Sequence, residues 1–600
     1  MDAFVYALIL ALSALPIFLY ERVPDFVNSD VVYVDLALSL LHSHTYSANF
    51  TPERIHPPGL PVLLAALCVT VGCTHDILTR TMPVFLALGF LFSYEVIRRQ
   101  RERLIAAISC LILASSPSIF PWVTSRLWPI FPYFCLSMII FLLIPKLEAS
   151  KQSRHTVLLA VLLCLLLVSV VMLESIGLAL VAAILGWLVL SFLGNVDTAR
   201  MRLKRFLGIT LIALIAEGLW LGQGGNRKDW PLPGHPEGYL AQLKVKDGNH
   251  PELGLATPMD VVWRIDKNLK ESSIFMTGVV FHRWISPSWS SVFTSGLIIL
   301  ILCGLWRSLQ RSDSQLCALY FIFFECVYLL WPWFSGVVRF AVAVLPFACL
   351  YLAEGALALK EWSHRHPRRT GALFLPVSMV LASLAAREGW TSVAAHGLQE
   401  KLSAIFWIAC AVLCLKMIFK GSLPSAGRWA QIFWGQRLSV GGLSFRPVLG
   451  VVVLAAAYFV STGVAAEISM GRENLASGVV RLENTPEVQA ARWIVSHTEP
   501  NAIIASSQYS VIFHHSRRKV IWFPPISNPK TLMDGIRRHH VEYVVVIKRG
   551  FNYYLPPETT CFDLLHAAYP DAFRLEDANG PVKIYRVLAE VSAAASDRAH

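Results

Sequence analysis

Charge is scarce in this chain: only 15% of its 600 residues are Asp, Glu, Lys or Arg, against 55% hydrophobic residues. The mean hydropathy of +0.54 exceeds what a single soluble core requires, which excludes an ordinary soluble enzyme. Of 12 cysteines, only Cys561 falls after residue 466, so no disulfide can close within residues 467–600 and no cysteine is assigned a role. A Gly-rich phosphate loop of the Walker type is absent, which removes the motor of ATP-driven transport. No internal repeat supplies the paired broken helices of a secondary transporter. The neighbouring histidines His514-His515 and His539-His540 lack a nearby Cys or a third ligand at metal-site spacing, and are expected to be solvated surface.

Apolar runs of about 17 to 22 residues recur up to residue 466 and then cease. The expected fold class is therefore mainly α, a polytopic membrane protein with a small α/β domain at its C-terminus. The run Ala3 to Tyr20 has no basic flank and no clear cleavage site, so it is expected to stay as a first helix. The net charge of +12 would suit nucleic acid were it on one face. Instead it is divided among Arg98 to Arg103, Lys146 to His155, Arg200 to Arg205, Arg307 to Arg311, Lys360 to Arg369 and Lys416 to Arg446, which suits lipid rather than nucleic acid. Under the positive-inside rule all six clusters face the cytoplasm.

That placement predicts about thirteen spans, from 3–20 through 78–97, 104–122, 127–145, 155–173, 176–194, 206–222, 288–306, 315–333, 338–358, 372–387 and 402–419 to 447–466. The run Leu60 to Val71 is too short to cross and would break the alternation, so it is expected to be re-entrant or interfacial. The loop 21–77, the loop 223–287 and residues 467–600 then share the outer face. The loop 223–287 is expected to be long and irregular with partly amphipathic pieces. In the tail, helices are expected from Pro486 to about His497 and over Lys530 to His539. Strands are expected at Ala502–Ser506, Lys519–Phe523 and Val541–Ile547, with a closing hairpin of Phe573–Asp577 and Val582–Val587.

Three short motifs carry chemistry. Ser29-Asp30-Val31-Val32-Tyr33 places one carboxylate in the first outer loop, ahead of Ile55-His56-Pro57-Pro58-Gly59. Asp30 could serve as a general base or merely as the N-cap of a helix beginning at Val31. Asp25 and Asp35 are weaker candidates, because Asp35 would face elsewhere on a helix. Trp331-Pro332-Trp333-Phe334 followed by Arg339 to Pro346 offers a fixed cation, which is either a phosphate ligand or an arginine reaching for the interface. Arg126 and Glu174 each lie at the outer end of a neighbouring span, where an unpaired charge is costly, so an Arg126–Glu174 ion pair is expected. Glu325 lies in an apolar run without a nameable partner.

With these residues in view, the chain resembles the GT-C superfamily of membrane glycosyltransferases that use polyprenyl-phosphate sugars, of the protein O-mannosyltransferase and lipid A aminoarabinose transferase type. The resemblance implies that Asp30 is the catalytic base, Arg339 holds the donor phosphate, and Tyr33, His56, Arg126 and Glu174 support the site or bind substrate. Relatives carry an acid where Arg126 stands and a base near Glu174, so the charges are exchanged here. Arginine cannot ligate a cation, so metal-independent, inverting transfer without a cofactor is expected. The implied partners are a polyprenyl-phosphate sugar donor, an acceptor lipid, protein or glycan, and membrane lipid, with no nucleic acid. A degenerate lipid-binding protein or a polyprenyl-linked lipid transporter is the alternative. Asn49-Phe50-Thr51 fits a glycosylation sequon, but the expected location is a bacterial inner membrane with the site facing the periplasm.

Overall fold

The computed structural model describes residues 2–19, 31–120, 123, 126–194, 196–223, 239–248, 250, 253–281, 287–332, 340–365, 438–440, 443–445, 447–483, 485–549 and 555–588. Asp25, Asp30, Arg339 and the expected spans 372–387 and 402–419 lie outside them. The chain is mainly helical. It runs α1 (Asp2–Phe18), α2 (Val31–Ser43), a short hairpin β1 (Ser47–Ala48) and β2 (Thr51–Pro52), α3 (Gly59–Thr70), α4 (His75–Gln100), α5 (Arg103–Ala114), α6 (Ile130–Ala149), α7 (Ser153–Leu173) and α8 (Leu178–Gly194). There follow α9 (Val196–Leu221), α10 (Tyr239–Leu243), α11 (Pro258–Phe281), α12 (Pro287–Leu309), α13 (Gln315–Leu329) and α14 (Leu345–Arg365), then the strand pair β3 (Leu438–Val440) and β4 (Leu443–Phe445) and the long α15 (Pro447–Glu483).

Among the described residues, four helical stretches, His75–Gln100, Ile130–Ala149, Ser153–Leu173 and Ser175–Gly194, are long and apolar enough to cross a bilayer. The protein is an integral membrane protein. Helix α7 shows how lipid replaces water as the outer solvent: it buries Leu159, Leu163, Leu167 and Val170 on one side while exposing Val157, Leu158, Val161 and Leu165 on the other. A helix apolar all round has no stable place at a water-facing surface. Gly304 and Gly355 let α12 and α14 pack backbone to backbone, because a Cβ at either would collide with a main-chain carbonyl of the other helix.

Basic clusters meet acids at one end of the bundle. Arg98 pairs with Asp2 at 3.0 Å and Glu95 at 2.8 Å, tying α4 to the start of α1. Arg101 and Arg307 both engage the buried Glu354. Arg202 reaches Glu148 at 2.6 Å, while Arg205 donates to main-chain carbonyls at the end of α6. These contacts draw several of the expected cytoplasmic clusters together.

Two expectations change. The loop 223–287 contains α11, a helix of 24 residues, and so is less irregular than its composition suggested. Helix α11 begins with a reciprocal cap: Thr257 donates to Asp260 and the Asp260 amide donates back to Thr257. Those bonds, from the Thr257 hydroxyl first, lower the Asp260 carboxyl to about 2. Further along, Arg264, only 2% exposed, donates to the carbonyls of Leu243 and Leu330, and Asn268 donates to Leu329 and Trp331. The pair sits one turn apart and holds the end of α13 to the connecting loop. The second change is a disulfide that joins Cys68, in the last turn of α3, to Cys73 beyond its end, where no cysteine role had been expected.

Residues 485–588 form an α/β unit of α16 (Pro486–His497), β5 (Ile503–Ser506), α17 (Tyr509–Ser516), β6 (Lys519–Trp522), α18 (Pro529–Arg538), β7 (Tyr543–Ile547), α19 (Glu558–Ala568), β8 (Phe573–Asn579) and β9 (Val582–Val587). Its sheet order is β6-β5-β7-β9-β8, parallel across β6, β5 and β7 and antiparallel beyond. Strand β7 is buried along its whole length, as a central strand covered on both faces must be. Alternate residues send Val544 and Val546 to one apolar cluster and Tyr543, Val545 and Ile547 to the other.

Candidate active site

Short apolar helix α3 begins where the His-Pro-Pro motif ends, since prolines suit the first turn and block any earlier helix. Gly59 opens it against the end of α7: a Cβ there would strike Met172 and Leu173 main-chain atoms. The start of α3 thus packs on the last turn of α7, which Glu174, 6% exposed, caps before the short turn Ser175–Gly177.

Tyr33 comes from the first turn of α2 and is buried, with its ring 5.1 Å from that of His56 in an edge-to-face contact. His56 is itself placed by Glu53. That carboxylate accepts from the Arg54, Ile55 and His56 amides at 3.0, 2.7 and 3.2 Å, folding 53–56 into a tight turn. Nδ1 of His56 lies 3.3 Å from the same oxygen, an approach that becomes an ion pair when the ring is protonated. The Tyr46 hydroxyl donates to the His56 carbonyl at 2.6 Å. Burial, then the nearby Glu53 carboxylate, raises the Tyr46 pKa, so this hydroxyl keeps its proton.

A further acid enters from α9. Glu217 is fully buried beside the Ser175 hydroxyl and faces Glu174. Trp220, one turn on, packs edge-to-face on Tyr46 at 5.8 Å. Tyr133 of α6 lies close enough to feel the Glu174 charge, and Arg126 is half-buried just ahead of that helix. Of the residues named from separate motifs, Tyr33 and His56 are thus in contact, and the start of α3 lies against the end of α7 that Glu174 caps. Glu53 and Glu217 were not named from the sequence. Glu217 was legible only as an acid inside an apolar run, the same signal that singled out Glu325. Glu325 itself is half-buried on α13.

The segment from α2 to the β1–β2 hairpin makes a second set of contacts. Asp35, set aside as a weak candidate, is 4% exposed, with His514 Nδ1 at 2.8 Å and the Arg517 guanidinium at 2.9 Å. His514 is therefore not solvated surface, as its sequence context suggested. Asn49 is 5% exposed and its side-chain amide is bonded to Val520, which leaves no accessible glycosylation site in the folded chain.

No protein-family model matches the chain, and no curated protein matches it. Among solved structures, it is similar to ArnT from Cupriavidus metallidurans, the lipid A aminoarabinose transferase, in a crystal structure bound to undecaprenyl phosphate. That similarity has 12% identity, covers 98% of each chain and has a TM-score of 0.48. It is also similar to the apo oligosaccharyltransferase of Archaeoglobus fulgidus, at 12% identity over 91% of this chain and 69% of that one, with a TM-score of 0.49.

Proposed function

We propose that this protein is an inverting membrane glycosyltransferase that moves a sugar from a polyprenyl-phosphate donor to an acceptor hydroxyl at the outer face of the membrane. What supports the reading is the convergence of three separately read motifs: Tyr33 of the acidic loop against His56, and the His-Pro-Pro turn against the α7 end that carries Glu174. Motifs distant in sequence that assemble at one end of a bundle are the pattern of a site rather than of independent helix caps.

In this reading Asp30, immediately ahead of α2, removes the proton from the acceptor hydroxyl as it attacks the anomeric carbon, and the phosphate leaves with the bonding electrons. One carboxylate suffices because a sugar phosphate already carries a good leaving group. Arg339 holds that phosphate, where a planar cation offers two parallel hydrogen bonds in a partly dry site. Arg126 pairs with Glu174, and Glu217 supplies a second buried acceptor toward the hydroxyls of the sugar. Tyr33 and His56 shape the wall between loop and helix. The two domains are residues 1–466, which hold the site, and 467–600, on the outer, periplasmic side of a bacterial inner membrane.

The test is transfer of radiolabelled sugar from a panel of undecaprenyl-phosphate donors by the purified protein in lipid, for wild type and Asp30→Asn, each with and without EDTA. Transfer that depends on Asp30 and survives EDTA is expected. Retained lipid binding with no transfer from any donor would replace this reading with that of a lipid-binding protein.

A further inference from the structure

The segment that carries Tyr33 and His56 is pinned at two points to residues 509–520, more than 450 positions away. At the first, one oxygen of Asp35, on α2 two residues beyond Tyr33, receives both His514 and Arg517. A carboxylate withdrawn from water is tolerated only where cationic donors replace its hydration. Arg517 reaches it from the left-handed residue that ends α17, with φ 53°. At the second, Asn49 donates to the Val520 carbonyl at 2.6 Å and accepts from the Val520 amide at 2.9 Å. Strand β6 is an edge of the sheet, so the Asn49 side chain occupies the place of a missing neighbouring strand.

The turn that presents Asn49 is itself unusual. Asn49 and Phe50 both take positive φ, 51° and 62°. Asparagine suits that conformation, but an aromatic residue rarely adopts it, and a strained turn persists only where its surroundings hold it. Here the Phe50 ring meets Phe513 of α17 at 5.6 Å. From the same helix, Val511 enters the apolar cluster of the membrane bundle.

We propose that Asp35 and Asn49, through His514, Arg517 and Val520, clamp the segment that carries Tyr33 and His56, so that residues 485–588 position that part of the candidate site. The clamp rests on these contacts alone; only its consequence for turnover rests on the transferase reading. Asp35 and Asn49 are positioning residues: they lie between Tyr33 and His56 in the chain and fix the segment that joins them. The α/β unit thereby becomes part of the site's scaffold, and a change in its docking is transmitted to the loop.

The experiment measures hydrogen exchange and transfer on the full chain in lipid for Asn49→Ala, Asp35→Ala, Asp35→Glu and the milder Arg517→Ala, whose side chain is half-exposed. Loss of the clamp is expected to speed exchange of the Val520 amide, and also of the Arg54, Ile55 and His56 amides held by Glu53, by about tenfold or more. The turnover number should fall roughly 10- to 100-fold, with Asp35→Glu recovering most of it, because small displacements of positioned groups are costly in rate. Faster exchange at Val520 with wild-type exchange at 54–56 would overturn the proposal, since the contacts would then hold only the α/β unit. If wild type transfers no sugar, the transferase reading fails on its own, and exchange at 54–56 still decides whether the clamp orders the loop.

Discussion

The two ends of the helical bundle differ in how they treat a glutamate buried among the helices. At the end where α4, α6 and α12 finish, Arg98, Arg101, Arg202 and Arg307 each have an acid to pair with, and the buried Glu354 has two arginines. At the other end Glu217 is fully buried beside the Ser175 hydroxyl, and it faces another acid, Glu174. Neutralised charge anchors helices to the interface; a carboxylate kept ready in a dry site has a cost that only a ligand or a proton can offset. The contrast separates an end built for holding from an end built for binding, and it can be tested from either side.

The largest effect should come at the binding end from Asp30→Asn, which removes the base: transfer should drop by roughly 100- to 10,000-fold with the protein still folded, read as initial rate per mole of protein. At the holding end, Glu354→Ala strands the buried Arg101, while Arg307 keeps Glu361 at 2.8 Å. A loss of about 3–5 kcal/mol is expected, measured by denaturation in detergent, with the transfer rate of the surviving folded protein unchanged. Glu217→Gln should do the reverse, leaving stability equal or slightly higher while lowering transfer about 10-fold or more. A destabilised Glu217→Gln with normal turnover would erase the distinction between the ends.

The smallest effect concerns residues 485–588. The Glu558 carboxyl, bonded to the Ser507 hydroxyl at 2.5 Å, is pushed up to about 7, first by burial. A raised carboxyl stabilises the fold in its protonated form, so this contribution is full below about 4.5 and is lost as pH rises through 7. Glu558→Gln should flatten that part of the melting-temperature profile between pH 4.5 and 7. An unchanged slope would assign the pH dependence to other groups.

Local pattern alone was enough for much of the molecule. Hydropathy required a membrane, because apolar runs of that length have no other solvent. The short run after His-Pro-Pro became α3, and in the tail the expected strands lie within about two residues of β5, β6, β7, β8 and β9, because alternation and turn residues act over a few positions. Helices α17 and α19 were missed: they are 8 and 11 residues long, and their capping positions, Gln508 and Pro557, make no side-chain cap bond. The residues of the candidate site were legible one by one, from acids and histidines standing where apolar sequence meets polar. What only the tertiary structure decided was their company: Glu53 beneath His56, Glu217 facing Glu174, and Asp35 held by His514 and Arg517 across 479 and 482 positions. A residue's tendency to form a helix or strand is written within a few neighbours, whereas the partner of a buried charge is whichever group the packed helices bring within about 3 Å, and no local pattern records that.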